Sequence, residues 1–253
     1  MLDLNGVKVA MADYETNYRD LVMQEREQTG TAPTHNEEFD KNGYLITRDL
    51  YDPEELYYPV PPERGSIHYY GSVDRFDHVP QEGQVEGSLA RYYHPQYKTI
   101  HNTIRLRLEE IIGNKLYNTY YYDRFYFPDQ QFRKDADRPA CEISVTIHVS
   151  TNLPDDLKDW PIWIKTPDVY TDETKNNILV PGEERAAVLN PGDGMIYKGC
   201  ERPHWRDPML APRLRKRDKW LRRKQPEYYY HQIFFHYVLA DGERSHFKGD
   251  RGK

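Results

Sequence analysis

Residues Cys141 to Val149 alternate without a break. Cys141, Ile143, Val145, Ile147 and Val149 are apolar, and Glu142, Ser144, Thr146 and His148 between them are polar. A period of two over nine residues is the pattern of a strand with two unlike faces. Further short β-favouring runs stand at Leu116–Phe127, Trp160–Lys165, Arg185–Leu189, Gly194–Tyr197 and Tyr228–Leu239. Turn residues separate them: Asn152-Leu-Pro, Pro181-Gly and Asn190-Pro-Gly-Asp-Gly. Many short strands behind one clear helix predict a mainly β fold with flanking helices, a β-sandwich or jelly roll.

The helix is Thr99–Ile112, with apolar positions at Ile100, Ile104, Leu106, Leu108 and Ile111 and a stop at Gly113. Ahead of it, Ala12–Gln28 reads as a helix and Gly30–Asn36 as a linker. Asn42-Gly43 is a turn before a short strand, and Asp52-Pro53 caps and opens a second helix. Residues 57–97 carry Pro, Gly, Tyr and His with no period and predict irregular structure or short strands. The expected organisation is an extension over 1–37, a helical and irregular support region over 38–115, a core over 116–247 and a tail over 248–253. A basic insertion interrupts the core at 208–227. Within it Arg213–Lys224 holds eight Lys or Arg in twelve residues, most simply a solvated loop.

The net charge of −6 and pI near 5.9 argue against specific nucleic-acid binding. No apolar run approaches a membrane span, and the N-terminus lacks a secretory pattern. Two cysteines suit a reducing compartment. A soluble, cytoplasmic protein without membrane contact is the expectation.

Asp135 and Asp137 stand two residues apart ahead of the alternating strand, and His204 follows the Gly192-Asp-Gly turn and the strand after it. If the strand runs unbroken through Pro139, both carboxylates leave the apolar face, toward the sandwich interior. Two carboxylates in an apolar interior need a cation, which a metal supplies. The plain alternative is a solvated acidic turn and a packed histidine. Opposite parity makes His148 a structural or rim residue, and of His231 and His236, five apart, one points inward.

Tyr126-Phe-Pro-Asp-Gln-Gln-Phe-Arg-Lys-Asp135-Ala-Asp137 resembles the approach to the metal strand of 2-oxoglutarate/Fe(II)-dependent oxygenases related to prolyl 4-hydroxylases. Gly192-Asp-Gly-Met-Ile-Tyr followed by His204, and the opening Glu38–Leu56, are similar to the same family. Asp-Arg-Pro-x-Cys-Glu-Ile-Ser and Gly-Cys-Glu-x-Pro-His-Trp-Arg resemble members encoded by tailed phages of marine cyanobacteria. The resemblance covers most of residues 38–247. It implies a double-stranded β-helix (jelly roll, cupin-like), with Fe(II) or another divalent metal, 2-oxoglutarate and O2 as cofactors. Asp137 and His204 become metal ligands, and Asp135 occupies the position where the family has histidine. The family's remote-carboxylate cation has no counterpart on Tyr228–Tyr237. Lys165 and Arg206 are the candidates for it, with Tyr122 or Tyr126 as hydrogen-bond donors.

Aspartate at position 135 replaces a neutral nitrogen donor with a hard anionic oxygen and shortens the reach. Three readings stay open: an iron hydroxylase acting on a peptidyl or small-molecule substrate, a site for another metal, or a non-catalytic binding or structural module. Under the last reading an oligomeric or virion partner is the expectation, and the virion becomes a second location beside the cytoplasm of a phage host.

Overall fold

A computed structural model describes residues 36–56, 84–171, 178–213 and 228–250. The expected helix at Ala12–Gln28, most of the linker after it, residues 57–83 of the irregular region and all but Arg213 of the basic run lie outside the described residues.

Asn36 caps helix α1 (Glu37–Asn42) by accepting the Phe39 N–H at 3.0 Å, and Gly43 closes it at φ 74°. Strand β1 (Tyr44–Thr47) follows. Asp52 caps the short helix α2 (Pro53–Leu56), its side chain accepting from the Glu54 N–H. Strand β2 (Leu89–Tyr92) leads to helix α3 (Tyr97–Ile112), which ends at left-handed Gly113 where the sequence places its stop. Ten strands follow: β3 (Leu116–Tyr126), β4 (Phe132–Asp135), β5 (Ile143–Thr151), β6 (Ile162–Lys165), β7 (Val169–Thr171), β8 (Ile178–Val180), β9 (Glu184–Ala187), β10 (Gly194–Tyr197), β11 (His204–Arg206) and β12 (Tyr230–Leu239).

The larger sheet has the order β1-β10-β5-β12-β3-β2, and the smaller one β4-β11-β6-β9; every pairing is antiparallel. Strands β3, β5, β10 and β12 thus go to one four-stranded layer and β4, β6, β9 and β11 to the other, β10-β5-β12-β3 facing β4-β11-β6-β9. β7 and β8 form a separate two-stranded antiparallel sheet.

The alternating strand is present, but its faces are the reverse of the expectation. Ile143, Val145, Ile147 and Val149 pack outward in one core with Ile104, Leu108 and Ile112 of α3. A 3-10 turn at Pro139–Cys141 separates β4 from β5. It breaks the register assumed across Pro139, so Cys141 belongs to the inner cluster while Ile143 belongs to the helix side. The face between the sheets is therefore the polar one: Ser144, Thr146 and His148 from β5, with Gln232 and His236 from β12, all buried. Tyr120, Tyr122, Tyr126, Tyr230, Phe234 and Trp160 close around this chamber. The apolar side chains lie under the helix because α3 turns Ile100, Ile104, Leu108 and Ile112 toward them, and a polar inner face is tolerable only where something pairs it.

Candidate metal centre and anion pocket

Asp137 lies just beyond β4, where its N–H donates to the Gly199 carbonyl at 2.9 Å. Its Oδ2 accepts from Ser144 Oγ at 3.2 Å, and its Oδ1 lies 3.6 Å from His204 Nε2. His204 Nδ1 sits 3.0 Å from the Arg202 carbonyl, so that nitrogen carries the proton and Nε2 turns its lone pair to Asp137. Tyr197 and Phe132 hold the imidazole at ring-centroid distances of 4.7 and 5.4 Å. Burial pushes the Asp137 carboxyl above its ordinary range against the pull of His204, and Asp135 adds to the rise.

Asp135 does not join the pair. It is the backbone partner of His204 across β4 and β11, but its side chain is exposed, with Oδ1 accepting the N–H of Ala136. It borders an outer cleft of about 540 Å³ lined by Gln84, Glu86, Asp129 and Phe132 among others. The expected inward aim of both carboxylates holds for Asp137 alone, because β4 ends at Asp135 and strand parity stops there.

Deeper in, Ser144 Oγ also lies 2.9 Å from His236 Nδ1, and Cys141 Sγ lies 3.2 Å from the Tyr120 hydroxyl. Among the described residues, the group of three metal-type donors whose ligand atoms all fall within 4.8 Å of one another is Asp137, Cys141 and His236. Burial keeps the His236 imidazole neutral, and burial beside Asp137 keeps Cys141 a thiol. Sequence reasoning missed Cys141, and it left open which of His231 and His236 points inward. The β12 parity shared with Tyr230 and Phe234 was the available signal.

Two residues beyond His204 on the same face, roughly 6.6 Å along the strand, Arg206 is fully enclosed at 2 % exposure. Nη1 donates to the Trp160 carbonyl at 2.6 Å, and the guanidinium lies against the Trp160 and Tyr230 rings at 4.5 and 4.8 Å. Among the described residues no carboxylate pairs with it, and Nε and Nη2 make no hydrogen bond. The Tyr230 hydroxyl lies beside the guanidinium, and Thr146 Oγ1, His148 Nε2 and both polar atoms of Gln232 are likewise buried, these last without a hydrogen bond. His148 Nδ1 lies 2.7 Å from the Leu189 carbonyl and its ring stacks on Tyr230 at 4.1 Å, so Nε2 is left as an acceptor. Burial holds this imidazole down at about 4.

The remaining expected contacts divide. Tyr126 belongs to the chamber wall, its hydroxyl accepting from Arg124 Nη1 at 3.3 Å, and Tyr122 stacks on Phe234 at 4.6 Å. Lys165 does not reach the chamber as expected: inward positions on β6 go to Ile162 and Ile164, and Lys165 turns outward to Asp168 at 2.8 Å.

Gly199 makes the approach of Asp137 possible. A Cβ there would meet the Cys141 carbonyl at 2.3 Å, Asp137 Oδ2 at 2.5 Å and Ser144 Oγ at 2.8 Å. Gly199→Ala is expected to cost about 1–3 kcal/mol by overpacking, read as a lowered Tm, and to weaken divalent-metal binding measured by calorimetry.

Strands β3 to β6 and β9 to β12 form two facing four-stranded layers with acid, histidine and arginine between them. The fold is a double-stranded β-helix. Among solved structures it is similar to an oxidoreductase of the 2OG-Fe(II) oxygenase family from Burkholderia pseudomallei, at TM-score 0.51 and 11% identity over 85% of this chain and 91% of that one. It is also similar to a Pseudomonas putida prolyl-4-hydroxylase, at TM-score 0.48 and 11% identity over 79% and 95% of the two chains. A third likeness is the non-heme alpha ketoglutarate dependent carbocyclase SnoK from nogalamycin biosynthesis, at TM-score 0.48 and 12% identity over 88% and 97%. No protein-family model and no curated protein matches the sequence. Among the described residues no helix is long and apolar enough to cross a membrane.

Proposed function

We propose that this double-stranded β-helix binds a divalent metal and 2-oxoglutarate between its sheets, and acts as a 2-oxoglutarate-dependent dioxygenase on a peptidyl or small-molecule substrate. The observation that carries the reading is Arg206. A buried guanidinium with no carboxylate partner among the described residues is costly, and a carboxylate ligand relieves that cost. The buried donors and acceptors of Tyr230, Thr146, His148 and Gln232 beside it suit a small polar acid better than an apolar guest.

Asp137 and His204 are the residues that fit a metal at the mouth of the chamber; Asp135, exposed and turned to its own backbone, does not complete a triad there. Arg206 would hold the remote carboxylate of a dicarboxylate whose other end reaches Asp137 and His204. Bound Fe(II) would supply oxygen activation coupled to oxidative decarboxylation of the keto acid. The chain's own contribution is orientation and exclusion of water: Arg202 fixes the His204 tautomer, Ser144 and Gly199 fix Asp137, and Trp160, Tyr126 and Phe132 screen the chamber.

The test is anaerobic addition of Fe(II) and 2-oxoglutarate, with appearance of the visible charge-transfer band of a chelated keto acid. A second reading, the same scaffold kept as a non-catalytic binding module, draws on the outward placement of Asp135 and predicts no band.

A further inference from the structure

We infer that this chain carries a sulfur-ligated metal site made by Asp137, Cys141 and His236, one layer deeper than the position Asp135 would serve. The inference rests on the reading of Asp137 as a metal ligand and does not need turnover. Three different elements converge: the loop after β4, the 3-10 turn and the middle of β12. The donors are an oxygen, a sulfur and a nitrogen, the set that favours zinc, cobalt or iron over calcium or magnesium.

The mutual spacing supports a common ion. All three ligand atoms lie within 4.8 Å of each other. A tetrahedral ion at ordinary Zn–S and Zn–N lengths sets its ligands about 3.3–3.8 Å apart, so closure asks for small side-chain movements. The supporting groups are also in place. Ser144 touches both Asp137 and His236, and the Tyr120 hydroxyl touches Cys141. Such contacts orient ligands in metal sites. His236 is 2 % exposed and its Nε2 has no hydrogen bond. The ring is thus held by one nitrogen and leaves the other open. Metal binding would form one bond to each ligand and displace the Cys141 thiol proton to solvent, after which the Tyr120 O–H donates to the thiolate.

Asp137 then stands between two possibilities. Its Oδ1 faces His204 at 3.6 Å and its Oδ2 faces Ser144. An ion in the deeper set keeps Asp137, gains a sulfur and a nitrogen, and makes no use of position 135. The loss of a nitrogen donor at Asp135 is compatible with an intact metal centre on this account.

Cobalt(II) titration of the full chain tests the inference. A near-ultraviolet thiolate-to-cobalt charge-transfer band is expected in the native protein, in Cys200→Ser and in Asp135→Ala. It should vanish in Cys141→Ser, and cobalt affinity should fall at least tenfold in Cys141→Ser and in His236→Gln. X-ray absorption on the native cobalt protein, which needs no variant to fold, should show a sulfur neighbour at about 2.3 Å. Cobalt bound with oxygen and nitrogen neighbours only, together with loss of binding in Asp135→Ala, would overturn the deeper site while leaving the oxygenase reading intact. Absence of cobalt binding would overturn it as well. A sulfur-ligated cobalt with no 2-oxoglutarate binding would uphold the site and remove the oxygenase reading instead.

Discussion

Arg206→Met should remove 2-oxoglutarate binding while leaving the unliganded protein as stable as before, or more so. Deleting one partner of a buried charge pair costs about 2–5 kcal/mol of binding, which corresponds to roughly 30- to 5,000-fold in affinity. Isothermal titration with 2-oxoglutarate on the metal-loaded protein reads this directly. The stability half of the prediction has the opposite sign. In the free protein Arg206 is an enclosed cation held by one carbonyl, two aromatic rings and the Tyr230 hydroxyl, with no carboxylate beside it among the described residues, so a methionine of similar length removes a desolvation cost. A large drop in Tm with unchanged affinity for 2-oxoglutarate would make Arg206 a structural residue and empty the anion pocket of its purpose.

Asp123→Ala is expected to be the most damaging single change to stability. Asp123 lies on the outer side of β3, fully buried, where Arg91 Nε donates to Oδ1 at 3.0 Å and Nη2 to Oδ2. His231 Nε2 donates to Oδ2 at 2.7 Å, and its ring stacks on Phe125 at 3.9 Å. Burial works against the ionised carboxylate, but Arg91 and His231 outweigh it and hold Asp123 at about 2. This group therefore stabilises the fold above the ordinary carboxylate value of 3.8, and its contribution is lost as the pH falls through about 2. Removing it costs about 3–5 kcal/mol because a buried guanidinium loses its carboxylate, or a fall in Tm of about 10 °C for a chain of this size. Thermal unfolding should also show that Asp123→Leu with Arg91→Met recovers most of the loss. A Tm within a degree or two of the native value for Asp123→Ala would contradict the account of this network.

Much of the fold was legible because strand alternation and turn chemistry are local. Gly194–Tyr197 and the helix ending at Gly113 fall where the sequence puts them. The orientation of β5 was not legible. Alternation says that two faces differ, but which face a helix covers is a tertiary fact, and Pro139 hides a 3-10 turn that resets the register. For the same reason the pattern could single out Asp137 and His204, which lie 3.6 Å apart, but not the approach of Cys141 and His236 to Asp137: that meeting depends on the turn and on pairing between β12 and β5. Lys165 failed on parity, since the alternation of Ile162 and Ile164 already turned it outward. The exposed strands β7 and β8, three residues each, are too short to show a period in the sequence.

The most direct test of the central claim is the anaerobic spectrum of the protein with Fe(II) and 2-oxoglutarate, recorded for the native chain, Asp137→Ala and Arg206→Met. A visible charge-transfer band is expected in the native protein, none in Asp137→Ala, and none in Arg206→Met at 2-oxoglutarate concentrations that saturate the native chain. No band in the native protein, with metal shown to be bound, would contradict the claim.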